Sequence, residues 1–144
     1  VSATLSHDHR PDPASPRAAR IVTLSLEGLT MVGAAAGVQG FLAGAFDPLV
    51  DQLHEAWPLV DGRVLPAVAL GGLVAVPQGV ALFLGLRRHP RAADAGLVVG
   101  VGLAAWVLLQ LPLIGWGSPV QWLFAGVGVA QAVGAAVWRA AARR

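Results

Sequence analysis

The sequence predicts an all-α integral membrane protein, an antiparallel four-helix bundle with both termini cytoplasmic and a short amphipathic outer helix after the first span. Three observations carry this reading. Hydrophobic residues make up 56% of the chain and charged residues only 12%, against about a quarter charged in soluble domains, and the mean hydropathy is +0.65. The apolar residues form long uncharged runs, from Gly28 to Phe46, Val64 to Leu86 and Ala95 to Trp138. All ten basic residues are arginines, and nine of them sit outside those runs in three places. Arg10, Arg17 and Arg20 precede the first run, Arg87, Arg88 and Arg91 separate the second from the third, and Arg139, Arg143 and Arg144 follow the last. Short arginine-rich segments stay on the cytoplasmic side. Arg63 alone departs from this pattern.

Taken in order, residues 1–20 are rich in Pro, Ala, Ser and charge and contain no apolar run of the kind a signal peptide needs, which reads as a disordered cytoplasmic tail. The first span is expected within 21–46; its uncharged part crosses a ~30 Å core at ~1.5 Å per residue. Glu27 then lies either at the cytoplasmic interface, paired with an arginine such as Arg20 or Arg91, or inside facing the bundle. The loop from Asp47 to Arg63 carries Asp47, Asp51, Glu55 and Asp61 against Arg63 and is the outer loop. It begins with Asp47 as a helix N-cap and Pro48 in the first turn, followed by Leu49, Val50, Leu53 and Trp57 on one face. The second span, 64–86, is expected to kink around Pro77, where a carbonyl loses its donor. Ala95 to Trp138 is long enough for two spans of roughly 20 residues, 95–114 and 119–138, separated by the turn GWGSP. Trp57, Trp116 and Trp122 fit the outer interface and Trp138 the inner one, with Trp106 at mid-depth. Residues 139–144 form a basic cytoplasmic tail.

Lipid gives no hydrophobic drive between helices, so small residues must let backbones approach. The clearest strip is Gly33, Gly37, Gly40 and Gly44, with Gly71/Ala75/Gly79, Gly96/Gly100/Ala104 and Gly126/Ala130/Gly134 as counterparts. Five glutamines lie in or at the ends of spans, Gln39, Gln78, Gln110, Gln121 and Gln131, and their ordinary role is interhelical hydrogen bonding. Gln78 beside Pro77 and Gln110 beside Pro112, with Glu27 and Gln39, are the candidates for a polar pocket. Asp51, His54 and Glu55 share one turn of the outer helix and form a weak metal-ligand set, for which a solvated face is the simpler explanation. His7, Asp8 and His9 are weaker still.

Composition also excludes chemistries. Without cysteine there is no disulfide, thiolate metal site or thiol redox activity. Spans free of histidine hold no bis-histidine haem, and neither a serine–base pair nor a phosphate-binding loop is present. No cofactor and no catalytic residue are expected. The formal charge is only +2 despite a pI near 11.0, and the arginines are dispersed by topology, so the bilayer rather than nucleic acid is the partner.

The segments LEGL, GVQGFLAGAFDPL, LPAVALGG, LFLGLRRHPRA and WVLLQLPLIGW resemble those of uncharacterised small four-span bacterial membrane proteins frequent in actinobacteria. Asp47-Pro48, Leu65-Pro66 and Trp106 carry the likeness across most of residues 26–134. Residues 70–106 have a vaguer similarity to DoxX-like four-helix membrane proteins. The resemblance implies architecture and transfers no active-site residue. The leading functional expectation is a non-enzymatic accessory or scaffold subunit that associates through its helices with a second copy or another membrane protein. The alternatives are a small-molecule or ion pathway, alone or as a dimer, and a lipid-binding protein or membrane enzyme with a pocket between spans two and three.

Overall fold

The computed structural model describes residues 15–116 and 119–143, and all the regular structure among them is helical. The elements are α1 (Pro16–Ala43), α2 (Asp47–Ala56), α3 (Val64–Leu86), α4 (Ala92–Ile114) and α5 (Pro119–Ala142). Four of them, α1, α3, α4 and α5, are long and apolar enough to cross a membrane.

Helix α1 starts earlier than expected. The Ser15 hydroxyl accepts a hydrogen bond from the Ala18 N–H at 3.3 Å, and Pro16 occupies the first turn. Such a cap and proline followed by Arg-Ala-Ala-Arg, all good helix formers, nucleate a helix. Residues 16–20 are therefore helical rather than disordered, and 1–14 lie outside the described residues. At its other end Gly44 takes a left-handed φ of 83°, with Gly44 N–H bonded to Phe41 O and Ala45 N–H to Gly40 O. This Schellman motif stops α1 at Ala43 and turns the chain into α2.

Asp47 does not cap α2. The helix begins at Asp47 with no side-chain cap, and the carboxylate instead takes two hydrogen bonds from Arg63, from Nε at 2.7 Å and from Nη2 at 2.6 Å. That bidentate bond holds the Asp47 carboxyl below the ordinary carboxylate range. It also accounts for the one arginine outside the general pattern: Arg63 closes the acidic loop onto the base of α2.

In α3 the proline is accommodated upstream. Residues Gly71–Ala75 form one wide π turn, in which Val76 N–H reaches back to Gly71 O. Pro77 has no N–H to donate and crowds the carbonyl four residues before it, and widening the preceding turn relieves both problems. Helix α5 starts at Pro119, as expected, and runs through Ala142, absorbing most of the expected basic tail. Arg139 on its last turns lies 2.7 Å from Asp94 in the first turn of α4.

The four long helices form a ring, α1 beside α3, α3 beside α4, α4 beside α5 and α5 beside α1. Backbones come closest between α4 and α5. A Cβ added to Gly100 would lie 2.7 Å from Ala132 N, and one added to Gly128 would lie 2.7 Å from Ala104 N. The expected strip on α1 behaves differently. Gly33 faces open space, whereas Gly37, Gly40 and Gly44 abut the side chains of Leu70, Phe46 and Arg63 of their own chain. On α5 the expected row is met in part: Gly134 abuts Thr23 of α1, while Gly126 faces open space and Gly128 makes the contact with α4.

Candidate functional site

The buried stripe of α1 consists of Ala19, Thr23, Glu27, Thr30, Ala34 and Phe41. Spacings of three, four and seven residues put them on one face, and three consecutive members are polar. Thr23 and Glu27 are fully buried and Thr30 is 2% exposed. Thr23 turns its hydroxyl back to Ala19 O at 2.9 Å. Among the described residues neither Glu27 carboxylate oxygen nor Thr30 Oγ1 has a hydrogen-bond partner.

Room for the carboxylate comes from α4. A Cβ at Gly96 would lie 2.9 Å from Glu27 Oε1, 3.1 Å from Thr23 Cγ2 and 3.3 Å from Ala135 Cβ, so a larger residue there would oblige the acid to shift. Glu27 faces the bundle and not an arginine: the Arg20 guanidinium donates to Gly85 O at 3.1 Å, and Arg91 is exposed.

Across the ring, Gln78 of α3 and Gln131 of α5 form a reciprocal amide pair. Gln78 Nε2 donates to Gln131 Oε1 at 3.2 Å and Gln131 Nε2 to Gln78 Oε1 at 2.9 Å. These two helices are diagonal, so the pair spans the middle of the bundle, and both residues are at most 1% exposed. Gln78 also borders a cleft of about 340 Å³ between α3 and α4, whose walls include Leu73, Pro77, Gly102 and Trp106. The other candidates lie elsewhere. Gln39 is exposed and Gln110 is half-buried, and no hydrogen bond among the described residues joins either to the pair. Gln121, near the start of α5, is buried with its amide atoms unpartnered.

The outer-helix acids do not assemble a metal site. Among the described residues no group of three His, Asp or Glu side chains is placed to hold an ion. His54 Nδ1–H donates to Val60 O at 2.8 Å, fastening the loop after α2, while Asp51 and Glu55 are exposed.

Thr23 and Thr30 are further site residues whose signal exists in the sequence, whereas Gly96, read there only as a packing glycine, joins the site through the acid opposite it. Thr23, Glu27 and Thr30 fall at i, i+4 and i+7, and polar residues at that spacing within an apolar run mark an inward polar face. Known proteins add nothing to this arrangement: the chain matches no protein-family model, and no curated protein or solved structure is detectably similar to it.

Proposed function

We propose that the chain is a multi-pass protein of the cytoplasmic membrane, with antiparallel spans and both termini cytoplasmic, and that it takes up a proton at Glu27 within a small-molecule or ion pathway. The facing pairs Leu24 with Gly85, Met31 with Gly79 and Gly37 with Leu70 run in opposite order along α1 and α3, which supports the antiparallel arrangement. Large apolar side chains point outward on every long helix, among them Leu29 and Leu109 at 71% exposure, a surface suited to acyl chains and not to water.

Glu27 carries the functional reading. It lies seven residues beyond Arg20, or ~10 Å along the helix at ~1.5 Å per residue. A bare carboxylate in that setting is several kcal/mol unfavourable, on the order of the penalty for any buried unpaired ion. Uptake of a proton removes that penalty, and ionisable groups inside a membrane protein characteristically serve proton or ion movement. Beyond the glutamine pair the core turns apolar, with Ala34, Val74, Leu103 and Val107 packed together. An apolar layer therefore bounds the polar core on that side. Val74 is carried on the wide turn of α3, a type of irregularity found frequently at functional sites. The scaffold reading has less support, because Gly37, Gly40 and Gly44 are already occupied by side chains of the same chain.

The test is dissipation of an imposed pH gradient by protein reconstituted in liposomes containing a pH-sensitive dye. Wild type is expected to accelerate it, and Glu27→Gln, isosteric and permanently neutral, to return it to the rate of empty liposomes with its helical spectrum intact. Equal rates for wild type and E27Q would rule the proposal out.

A further inference from the structure

We propose that the basic end of the bundle contains a pocket for a phosphate-bearing headgroup, and that its occupant is an anionic phospholipid. The cavity, about 800 Å³, lies between the start of α1, the α3–α4 loop and the end of α5, and is lined by Arg17, Arg20, Arg88, His89 and Trp138. That volume falls in the range of small-ligand sites. Among the described residues no carboxylate lines it, and Asp94, at the start of α4, is engaged by Arg139.

Three features distinguish this pocket from a diffuse basic surface. Arg20 uses one N–H on Gly85 O, which orients a guanidinium with further N–H donors to offer phosphate oxygens. His89 Nδ1 accepts a hydrogen bond from Arg91 N–H at 3.2 Å, so in the neutral ring the proton resides on Nε2, leaving that nitrogen as a donor. Arg88 is the third. Its φ of 54° makes it the one non-glycine residue in the left-handed region among those described. Arg88 N–H bonds to Gly85 O and His89 N–H to Leu84 O, a Schellman motif in which glycine is the usual occupant of the Arg88 position. An arginine held there against its backbone preference points to a use for its side chain.

Apolar walls from Ile21, Pro90 and Ala93, with Trp138 beside the cationic groups, favour a lipid over a soluble phosphate. Ile21 and Val22 are exposed next to the pocket and continue it as a track for an acyl chain. Tryptophan beside basic residues is the usual pairing at headgroup depth.

The test is native mass spectrometry of the full chain titrated with phosphatidylglycerol, phosphatidylcholine or inorganic phosphate, alongside thermal melts in each. Wild type is expected to retain phosphatidylglycerol selectively and to melt higher with it. Arg88→Gly should bind it about tenfold more weakly, as for the loss of one charge-assisted contact, while melting no lower than wild type without lipid because the backbone strain is relieved. Arg143→Ala, at the same end but outside the pocket, should bind normally. Equal retention of phosphatidylcholine, equal weakening in R143A and R88G, or wild-type affinity in R88G would each overturn the pocket. Stabilisation by inorganic phosphate matching that by phosphatidylglycerol would overturn the lipid as occupant.

Discussion

The two halves of this bundle are built from the same helices and similar small residues, yet they are held together differently. Toward the acidic end, around α2, the core is apolar apart from Gln121: Ala34, Val74, Leu103 and Val107 pack together, and Phe41, Val50 and Ala67 form a second cluster beneath α2. Toward the basic end the same interior positions hold Thr23, Glu27, Thr30, Gln78 and Gln131. The apolar half is stabilised by close contact and fails when volume is removed. The polar half contains groups that cost free energy wherever they go unpaired, and its buried carboxyl has no hydrogen-bond partner among the described residues. A chain selected only to hold four helices together would have no use for that acid, which is why the difference between the halves bears on function.

That contrast can be broken in several places, with expected effects of decreasing size. In the apolar half Leu103→Ala should cost about 2–5 kcal/mol by leaving a cavity, measured by denaturation in detergent micelles. At the α4–α5 crossing, Gly128→Ala places a methyl against backbone rather than a yielding side chain, and should cost about 1–3 kcal/mol. Gly33→Ala and Gly126→Ala, where the space is open, should be neutral in the same assay. In the polar half Gln78→Leu strands the Gln131 amide and should cost about 1–3 kcal/mol. The double variant Gln78→Leu/Gln131→Leu should recover most of that, because two apolar residues leave nothing unpaired. A double variant as unstable as the sum of the singles would contradict the pairing. The smallest effect concerns the tether outside both halves. Asp47 has its pKa lowered in the folded state, chiefly by the Arg63 hydrogen bonds. Its contribution is therefore fully present above the unfolded carboxylate pKa and is lost as pH falls through the folded value. Asp47→Asn should therefore lower the melting temperature slightly at neutral pH and leave it unchanged once pH has fallen below the folded value, so that this part of the acid limb flattens.

Much of this architecture was legible in the sequence, because charge-free runs and proline or glycine punctuation report helices directly. The helix expected over 64–86 is α3, and Pro119 marks the start of α5. The boundaries that moved did so for local reasons, Ser15 and Pro16 extending α1 backward and the Gly44 cap ending it early. Site residues were harder to read. Glu27, Gln78 and Gln131 stood out by residue type, but which way each faced depends on the rotation of its helix, and apolar composition on all sides of a span hides that rotation. The same ambiguity explains why Gly126 was expected at a contact that Gly128 makes, and why Gln39 was grouped with a polar core from which it points away. Gly96 gave no signal of its own, since its role exists only once Glu27 is opposite it.

The central claim is that Glu27 is a protonatable acid inside the apolar interior. It is tested most directly by treating the protein in lipid with a hydrophobic carbodiimide, which adds to protonated carboxyls, and mapping the adduct by mass spectrometry. The account expects the adduct on Glu27, absent in E27Q and suppressed as pH rises. Labelling confined to Asp47, Asp51, Glu55, Asp61 or Asp94, with Glu27 unmodified at every pH, would contradict it.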